Sequence, residues 1–120
     1  MPDTPDNPPF DYSLRALMEE TRERAHRKGW FDEPTTVAEQ VALIHSEASE
    51  LLEEYRENHS PDAVRVDANG KPLGIPIELA DILIRVCEFA TRYDIDLPEA
   101  VRVKGAWNDS RPYRHGNKRL

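Results

Sequence analysis

The hydrophobic residues of this chain recur at helical spacing in four segments, which are separated by stretches rich in proline, glycine and charge. Apolar residues three or four positions apart indicate amphipathic helices. The spacing predicts helices over approximately residues 12–28, 36–58, 75–93 and 96–107. Because four helices with almost no strand signal are typical of helical bundles, we predict an all-α, four-helix fold.

Local signals mark the ends of these helices. Thr36 and Glu39 form a capping-box pattern, in which a hydroxyl and a carboxylate accept hydrogen bonds from free amides of the first turn. Asp96 and Glu99 have the spacing of a similar cap before the fourth helix. Gly29 follows the first helix, and glycine commonly ends a helix at this position.

The second helix carries one apolar line, with steps of three and four residues, formed by Val37, Val41, Ile44, Ala48, Leu51 and Tyr55. Such a line predicts packing against other helices. The third helix is apolar on more faces than three neighbouring helices can cover. We therefore expect oligomerisation, as a homodimer or a tetramer, to bury the remaining apolar surface.

Three segments of the chain differ in organisation. Residues 1–11 are rich in proline and are predicted to form a disordered or loosely packed arm. Residues 12–109 form the predicted helical domain, and residues 110–120 form an irregular basic tail that contributes to the predicted substrate site. Between the second and third helices, the Asn69-Gly70 dipeptide predicts the turn of a short hairpin.

Composition narrows the class of protein further. A chain of 120 residues is expected to form one domain. Its net charge of -7 argues against a general nucleic-acid binder, which needs a basic face. No apolar run is long enough for a membrane span, so we expect a cytoplasmic protein without a membrane partner. Cys87 is the single cysteine, which excludes an internal disulfide and indicates an inert buried thiol.

The third helix interrupts its apolar surface with one line of charged residues, which are Glu78, Asp81, Arg85 and Glu88. Glu78 and Asp81 are three residues apart and therefore neighbours on one helix face. Glu47 and Glu50 form a matching pair on the second helix. If the two helices pack antiparallel, the two pairs can face each other.

Four crowded carboxylates are electrostatically unfavourable. At an effective dielectric constant near 20, each like-charge pair about 5 Å apart costs roughly 3 kcal/mol. Protonation, arginine or a divalent cation can relieve this repulsion, and Arg85 can neutralise only one charge. An all-oxygen ligand set suits Mg²⁺ or Mn²⁺ rather than zinc or copper. The alternative explanation is a hydrated acidic face, which is common on helices.

The two carboxylate pairs resemble the paired motif of the MazG-like all-α nucleoside triphosphate pyrophosphohydrolases, which are similar to dimeric dUTPases and dCTP pyrophosphatases. Between the pairs lie 27 residues. The likeness extends over roughly residues 24–120 and includes "SEASELLEEYR", "GIPIELADILIRV" and "KGAWNDSRPYRHGNK". The fuller family motif is Glu-Glu-x-x-Glu, whereas this chain has Ser46 at the first position, and Glu54 is a candidate replacement.

The resemblance implies a Mg²⁺-dependent hydrolase, with Mn²⁺ as a possible substitute. Such an enzyme cleaves a nucleoside triphosphate between the α and β phosphates and releases the monophosphate and pyrophosphate. By position, the implied metal ligands are Glu47, Glu50, Glu78 and Asp81. Glu47 or Glu50 would also act as the catalytic base that orients the attacking water.

Phosphate-binding residues are expected on the fourth helix and in the basic tail that follows it. Family members use a lysine and an asparagine here, which implies phosphate contacts for Lys104 and Asn108, and Arg111 follows them. Arginine suits bidentate contact with phosphate. Tyr113 and His115 add a ring and a hydrogen-bond donor. The alternative role of this tail is solubility alone.

Candidates for contact with the nucleoside lie elsewhere in the chain. Trp30, Phe31 and Trp107 can stack on a base, although each is also a common core residue. His45 precedes the first carboxylate and can hydrogen-bond a base or sugar, or a buried carbonyl. Trp30 and His45 are therefore included among the predicted substrate-binding residues.

Two other functions remain open. The first is a non-enzymatic helical interaction module, in which arginines of a partner neutralise the carboxylates. The second is the same metal site acting on a different phosphoanhydride nucleotide. A metal-dependent rise in melting temperature argues against the first, and identification of the products decides the second.

Overall fold

The computed structural model describes residues 13–57 and 59–113, and these residues form four helices and one two-stranded sheet. In chain order, the elements are α1 (Leu14–Arg27), α2 (Val37–Arg56), β1 (Arg65–Val66), β2 (Pro72–Leu73), α3 (Ile75–Arg92) and α4 (Leu97–Ser110). The prediction of four helices with a hairpin before the third is confirmed. The predicted arm and residues 114–120 of the predicted tail, with His115, lie outside the described residues.

Side-chain caps begin three of the helices. Ser13 Oγ caps α1, and Thr36 Oγ1 accepts a hydrogen bond from the Glu39 amide at 3.1 Å. Asp96 Oδ1 accepts one from the Glu99 amide, also at 3.1 Å. These contacts satisfy amides that have no partner within their own helix. The predicted N-caps Thr36 and Asp96 are confirmed, whereas the Glu39 carboxylate accepts a hydrogen bond from the Thr36 hydroxyl and not the predicted one from an amide. The α4 helix extends three residues beyond its predicted end at residue 107.

The hairpin between α2 and α3 depends on a side chain and two glycines. Asp67 Oδ1 accepts hydrogen bonds from the amides of Asn69 at 2.8 Å and Lys71 at 3.0 Å, which closes the turn. Gly70 has a φ of 83° in this turn. Gly74 precedes α3 with a φ of 129°, and a Cβ there would overlap the backbone ahead of β1.

The α3 helix is central, because it packs against both α1 and α2, while α4 packs against α1. The apolar core contains Met18, Cys87 and Ala90, with partly buried leucines of α1 and α4 around it. Cys87 is buried as predicted, and burial raises the pKa of its thiol, as expected for a structural cysteine. Within the described ranges, no helix is long and apolar enough to cross a membrane.

The apolar line of α2 does not pack as predicted. Val37 and Tyr55 are 52% and 67% exposed, whereas the buried residues of α2 are Gln40 and Glu54. The inward face of α2 is mixed, since Ile44 and Leu51 of the predicted line are half-buried beside Glu47. Ion pairs of Glu47 and Glu54, described below, are the physical reason that acidic residues share this face. The apolar side predicted for α4 is likewise exposed, since α4 has no buried residue and Trp107 is solvent-accessible.

Candidate metal centre

Four carboxylates meet where α2 and α3 pack together. Glu47 and Glu50 come from successive turns of α2, and Glu78 and Asp81 come from the first turns of α3. One oxygen of each carboxylate lies within 4.8 Å of the corresponding oxygens of the other three. The prediction that the two pairs face each other is confirmed, and we call this group the carboxylate cluster.

The cluster is unevenly exposed to water. Glu78 is 8% exposed and the side chain of Glu47 is 12% exposed, while Asp81 is half-buried and Glu50 is exposed. Within the described structure, Oε2 of Glu47 and Oε2 of Glu78 are buried without a hydrogen-bond partner. A buried, unpaired carboxylate oxygen is strongly unfavourable, so these two atoms indicate a missing partner.

The electrostatics of the cluster point in the same direction. Burial, followed by the charges of Glu50, Asp81 and Glu47, raises the pKa of Glu78 to about 7. Burial and the charge of Glu47 also raise the pKa of Asp81, although nearby cations partly oppose this. In both carboxyl groups burial has the largest effect on the pKa, and the repulsion from neighbouring carboxylates acts in the same direction.

Arg85 supplies part of the compensation, but it is shared. Its Nε donates a hydrogen bond to Oε1 of Glu47 at 3.2 Å, and its Nη1 donates one to Oε2 of Glu88 at 3.2 Å. The prediction that Arg85 can neutralise one charge is consistent with this arrangement, in which its partner in the cluster is Glu47. One guanidinium divided between two carboxylates leaves the remainder of the cluster uncompensated.

The cluster opens into a cavity of about 790 Å³. Its lining includes Trp30, which was predicted to contact substrate, and two basic residues that the sequence patterns did not single out, Arg24 and Lys71. The only sequence signal for Lys71 was its place next to the Asn-Gly turn, just before α3. The complete lining consists of Arg24, Trp30, Glu47, Glu50, Lys71, Asp81, Ile84, Arg85 and Glu88.

Glu54 belongs to a different group. Arg65 donates hydrogen bonds to both of its carboxylate oxygens, at 2.9 and 3.0 Å, and His59 Nδ1 lies 2.7 Å from Oε2. These hydrogen bonds, from Arg65 first and then His59, lower the pKa of Glu54. The structure therefore places Glu54 outside the carboxylate cluster, contrary to its proposed role as the replacement for the missing motif glutamate, because its two oxygens already have cationic and imidazole partners.

The other predicted substrate residues lie on other surfaces of the described chain. Lys104 and Asn108 line a separate depression on α4. His45 lines a shallow groove on the outer side of α2. Arg111 directly follows α4, and Tyr113 is exposed. Within one chain, the structure does not bring Lys104, Asn108 or His45 into the cavity of the carboxylate cluster, and their roles in substrate binding stay predictions.

Comparisons with family models, curated proteins and solved structures found no match to this chain. The chemistry of the site therefore follows from its own residues. Four oxygen ligands from two adjacent helices, two of them with unpaired buried atoms, can hold a metal ion at the wall of a large cavity.

Proposed function

We propose that the protein is a Mg²⁺-dependent, MazG-like nucleoside triphosphate pyrophosphohydrolase that releases a nucleoside monophosphate and pyrophosphate. The observation that carries the proposal is the carboxylate cluster itself, four carboxylates within 4.8 Å beside a cavity of about 790 Å³. Cavities of roughly 300–1,000 Å³ are typical of small-molecule sites. The combination of a large cavity with crowded acidic ligands suits a substrate that arrives with metal-bound phosphates.

The residues present fit a hard divalent cation. All four ligands are carboxylates, which favour Mg²⁺ or Mn²⁺ over softer metals. The unpaired Oε2 atoms of Glu47 and Glu78 would gain a partner on binding. Glu47, Glu50, Glu78 and Asp81 would hold the ion. When bound, it would supply charge neutralisation of the triphosphate and activation of water.

The chain's own residues then divide the remaining work. Glu50 is the exposed carboxylate of the cluster and lines the cavity. We therefore assign it the role of the base that accepts a proton from the attacking water. The water oxygen forms a bond to the α-phosphorus, the bond from that phosphorus to the α–β bridging oxygen breaks, and pyrophosphate leaves. Glu47 is held in position by Arg85 and is less able to reorient.

Trp30 is the proposed contact for the base. Its side chain lines the cavity and is 47% exposed, which leaves a face available for stacking. Arg92 of α3 donates hydrogen bonds to the carbonyl oxygens of Trp30 at 2.9 Å and Glu33 at 3.1 Å. These hydrogen bonds hold the backbone of the α1–α2 loop against α3, and with it the backbone of Trp30 beside the cavity.

A homodimer, or a tetramer built from dimers, is the proposed assembly. Val41 and Leu52 of α2 and Leu79 and Leu83 of α3 are all more than two-fifths exposed. Burial of such side chains in a second copy would recover hydrophobic free energy that one chain leaves unused. Light scattering on the purified protein tests this assembly, and a monomer at all concentrations would contradict it.

A nucleotide screen tests the activity. Purified protein is incubated with each ribo- and deoxyribonucleoside triphosphate in Mg²⁺, in Mn²⁺ and in chelator, and the products are identified by mass. We expect metal-dependent release of monophosphate and pyrophosphate in equal amounts. Release of orthophosphate alone, or no turnover of any triphosphate, would contradict the proposal. Turnover of a different phosphoanhydride nucleotide would instead change the substrate class while retaining the metal site.

A further inference from the structure

The three basic residues that line the cavity differ in their contacts. Arg24 Nη2 binds Oε1 of Glu20 at 2.8 Å, and Arg85 is shared between Glu47 and Glu88. Among the described residues, Lys71 is the cavity-lining cation whose side chain has no carboxylate within ion-pair distance. Its charge is therefore available to a bound ligand without loss of an existing ion pair.

The position of Lys71 is set by its backbone and not by chance contact of its side chain. The amide of Lys71 donates a hydrogen bond to Asp67 Oδ1 at 3.0 Å, which closes the hairpin turn. Arg65 of β1 binds both oxygens of Glu54 and joins the hairpin to α2. Gly74 permits the tight approach that leads from the hairpin into α3. Three separate features thus present this lysine at the cavity wall.

Lys71 lies close to the proposed metal ligands. It lines the same cavity as Glu47, Glu50 and Asp81, three members of the carboxylate cluster. A ligand that binds the metal through phosphate oxygens would carry further negative charge into this cavity, where the ammonium group can contact it.

We propose that Lys71, carried by the β1–β2 hairpin, binds a phosphate group of the polyphosphate substrate. The inference rests on the proposed function and adds a substrate-binding residue to it. Lysine suits this role because its ammonium is a compact charge on a flexible stem and can follow phosphates during the reaction. Lys104, the lysine that the family resemblance favours, lies on a different surface of the same chain.

The test compares Lys71→Ala with Lys71→Arg and with Lys28→Ala, a matched exposed lysine at the end of α1 that lines none of the cavities described above. Three quantities are measured: KM for the triphosphate that the wild type hydrolyses fastest, affinity for inorganic pyrophosphate in Mg²⁺, and affinity for Mn²⁺ alone. Far-ultraviolet circular dichroism confirms that each variant retains its helices.

For Lys71→Ala we expect KM to rise and pyrophosphate affinity to fall by about tenfold or more, the size typical of a lost hydrogen bond to a charged group. Its Mn²⁺ affinity should be unchanged or slightly higher, because a nearby positive charge has been removed. Lys71→Arg should retain most of the pyrophosphate affinity, and Lys28→Ala should match the wild type.

Three outcomes would overturn the role of Lys71 and leave the proposed function in place. The first is an active wild type with unchanged KM and pyrophosphate affinity in Lys71→Ala. The second is an equal loss in Lys28→Ala, which would indicate a general charge effect. A loss of Mn²⁺ affinity as large as the loss of pyrophosphate affinity would also overturn it, since the lysine would then support the metal site. An inactive wild type that binds no pyrophosphate would overturn the proposed function as well.

Discussion

The α2 helix contributes acidic residues to two groups with opposite electrostatics: the carboxylate cluster, and Glu54 with its partners Arg65 and His59, which we call the Glu54 group. Glu54 is 9% exposed, and Glu78 of the carboxylate cluster is 8% exposed, so the two are buried to nearly the same extent. Glu54 receives both arms of Arg65 and the imidazole of His59. Glu78 faces three other carboxylates and retains a buried oxygen without a partner.

The two carboxylates differ in how their charge is compensated: cationic and imidazole partners of Glu54 offset the effect of burial, whereas burial and neighbouring negative charge act together on Glu78. The pKa of Glu54 is lowered by its hydrogen bonds, whereas the pKa of Glu78 is raised to about 7 by burial and neighbouring charge. In the Glu54 group, the chain supplies its own cations, and the contact of Glu54 with Arg65 anchors the hairpin to α2. In the carboxylate cluster, the chain supplies too few cations, which is the arrangement expected of a site that receives a cation from solution.

The largest expected effect comes from a substitution in the carboxylate cluster. Asp81→Asn should lower turnover by about 100-fold or more, because changing a residue that only supports a metal ligand already lowers activity about 10–100-fold. The metal-free variant should be as stable as the wild type or more stable, since one repelling charge is removed. Turnover and thermal unfolding measure both effects. The control is Asp109→Asn, the same substitution at an exposed position of α4. Full activity of Asp81→Asn would refute the assignment of Asp81 as a metal ligand.

The pH dependence of stability should differ between the carboxylate cluster and the Glu54 group. Because folding raises the pKa of Glu78 from 4.5 to about 7, the folded state binds more protons, and the free energy of unfolding of the metal-free protein should fall as pH rises between these values. The full change is roughly 3 kcal/mol. Glu54 has the opposite sign: its lowered pKa stabilises the fold above pH 4.5, and that stability is lost at lower pH.

Urea unfolding between pH 4 and 8, without metal, measures this dependence. Glu78→Gln should flatten the fall in stability between pH 5 and 7, because the repelling charge can no longer form. A wild type whose stability rises over that interval would contradict the electrostatic description of the cluster. Glu50→Gln is an informative comparison, since it removes a charge that acts on Glu78 without changing Glu78 itself.

Addition of Mg²⁺ should stabilise the fold by binding to the carboxylate cluster. At a Mg²⁺ concentration about 100 times the dissociation constant, ligand linkage predicts a gain of about 2.7 kcal/mol in the free energy of unfolding. The gain should be largest near pH 8, where the carboxylates are ionised, and should be lost in Asp81→Asn. A melting temperature that does not respond to Mg²⁺ or Mn²⁺ would favour the alternative of a non-enzymatic interaction module.

The smallest expected effect comes from a substitution in the Glu54 group. Arg65→Ala leaves Glu54 with only His59 as a partner and loosens the hairpin that carries Lys71. We expect a lower melting temperature and a rise in KM of less than about tenfold, as for a residue that acts through another. Arg56→Ala is the matched control, because its ion pair with Glu53 is exposed and such pairs contribute little. An unchanged KM would separate the hairpin anchor from substrate binding.

Sequence patterns predicted the helices and the caps of α2 and α4, because these depend on spacing along one helix and on contacts within a few residues. The meeting of the carboxylate pairs, which 27 residues separate, was predicted on the condition that α2 and α3 pack antiparallel. Sequence patterns did not predict the partners of Glu54 and Arg85 or the position of Lys71 at the cavity. Glu54 and Arg65 are eleven residues apart, and Glu47 and Arg85 are 38 apart. Such pairs form only when the hairpin and α3 fold back onto α2, and residue type alone does not select among the available carboxylates.

The orientation of α2 is the feature that its own sequence determines least. Its amino acids determine that it is a helix with one apolar line and one acidic line, since both follow from a period of 3.6 residues. Hydrophobicity alone favours burial of the apolar line. Only the tertiary structure placed Glu47 and Glu54 on the inward side, because their ion pairs with Arg85 and Arg65 and the proposed metal site lie there. Most of the apolar line remains exposed, and its Ile44 and Leu51 are half-buried.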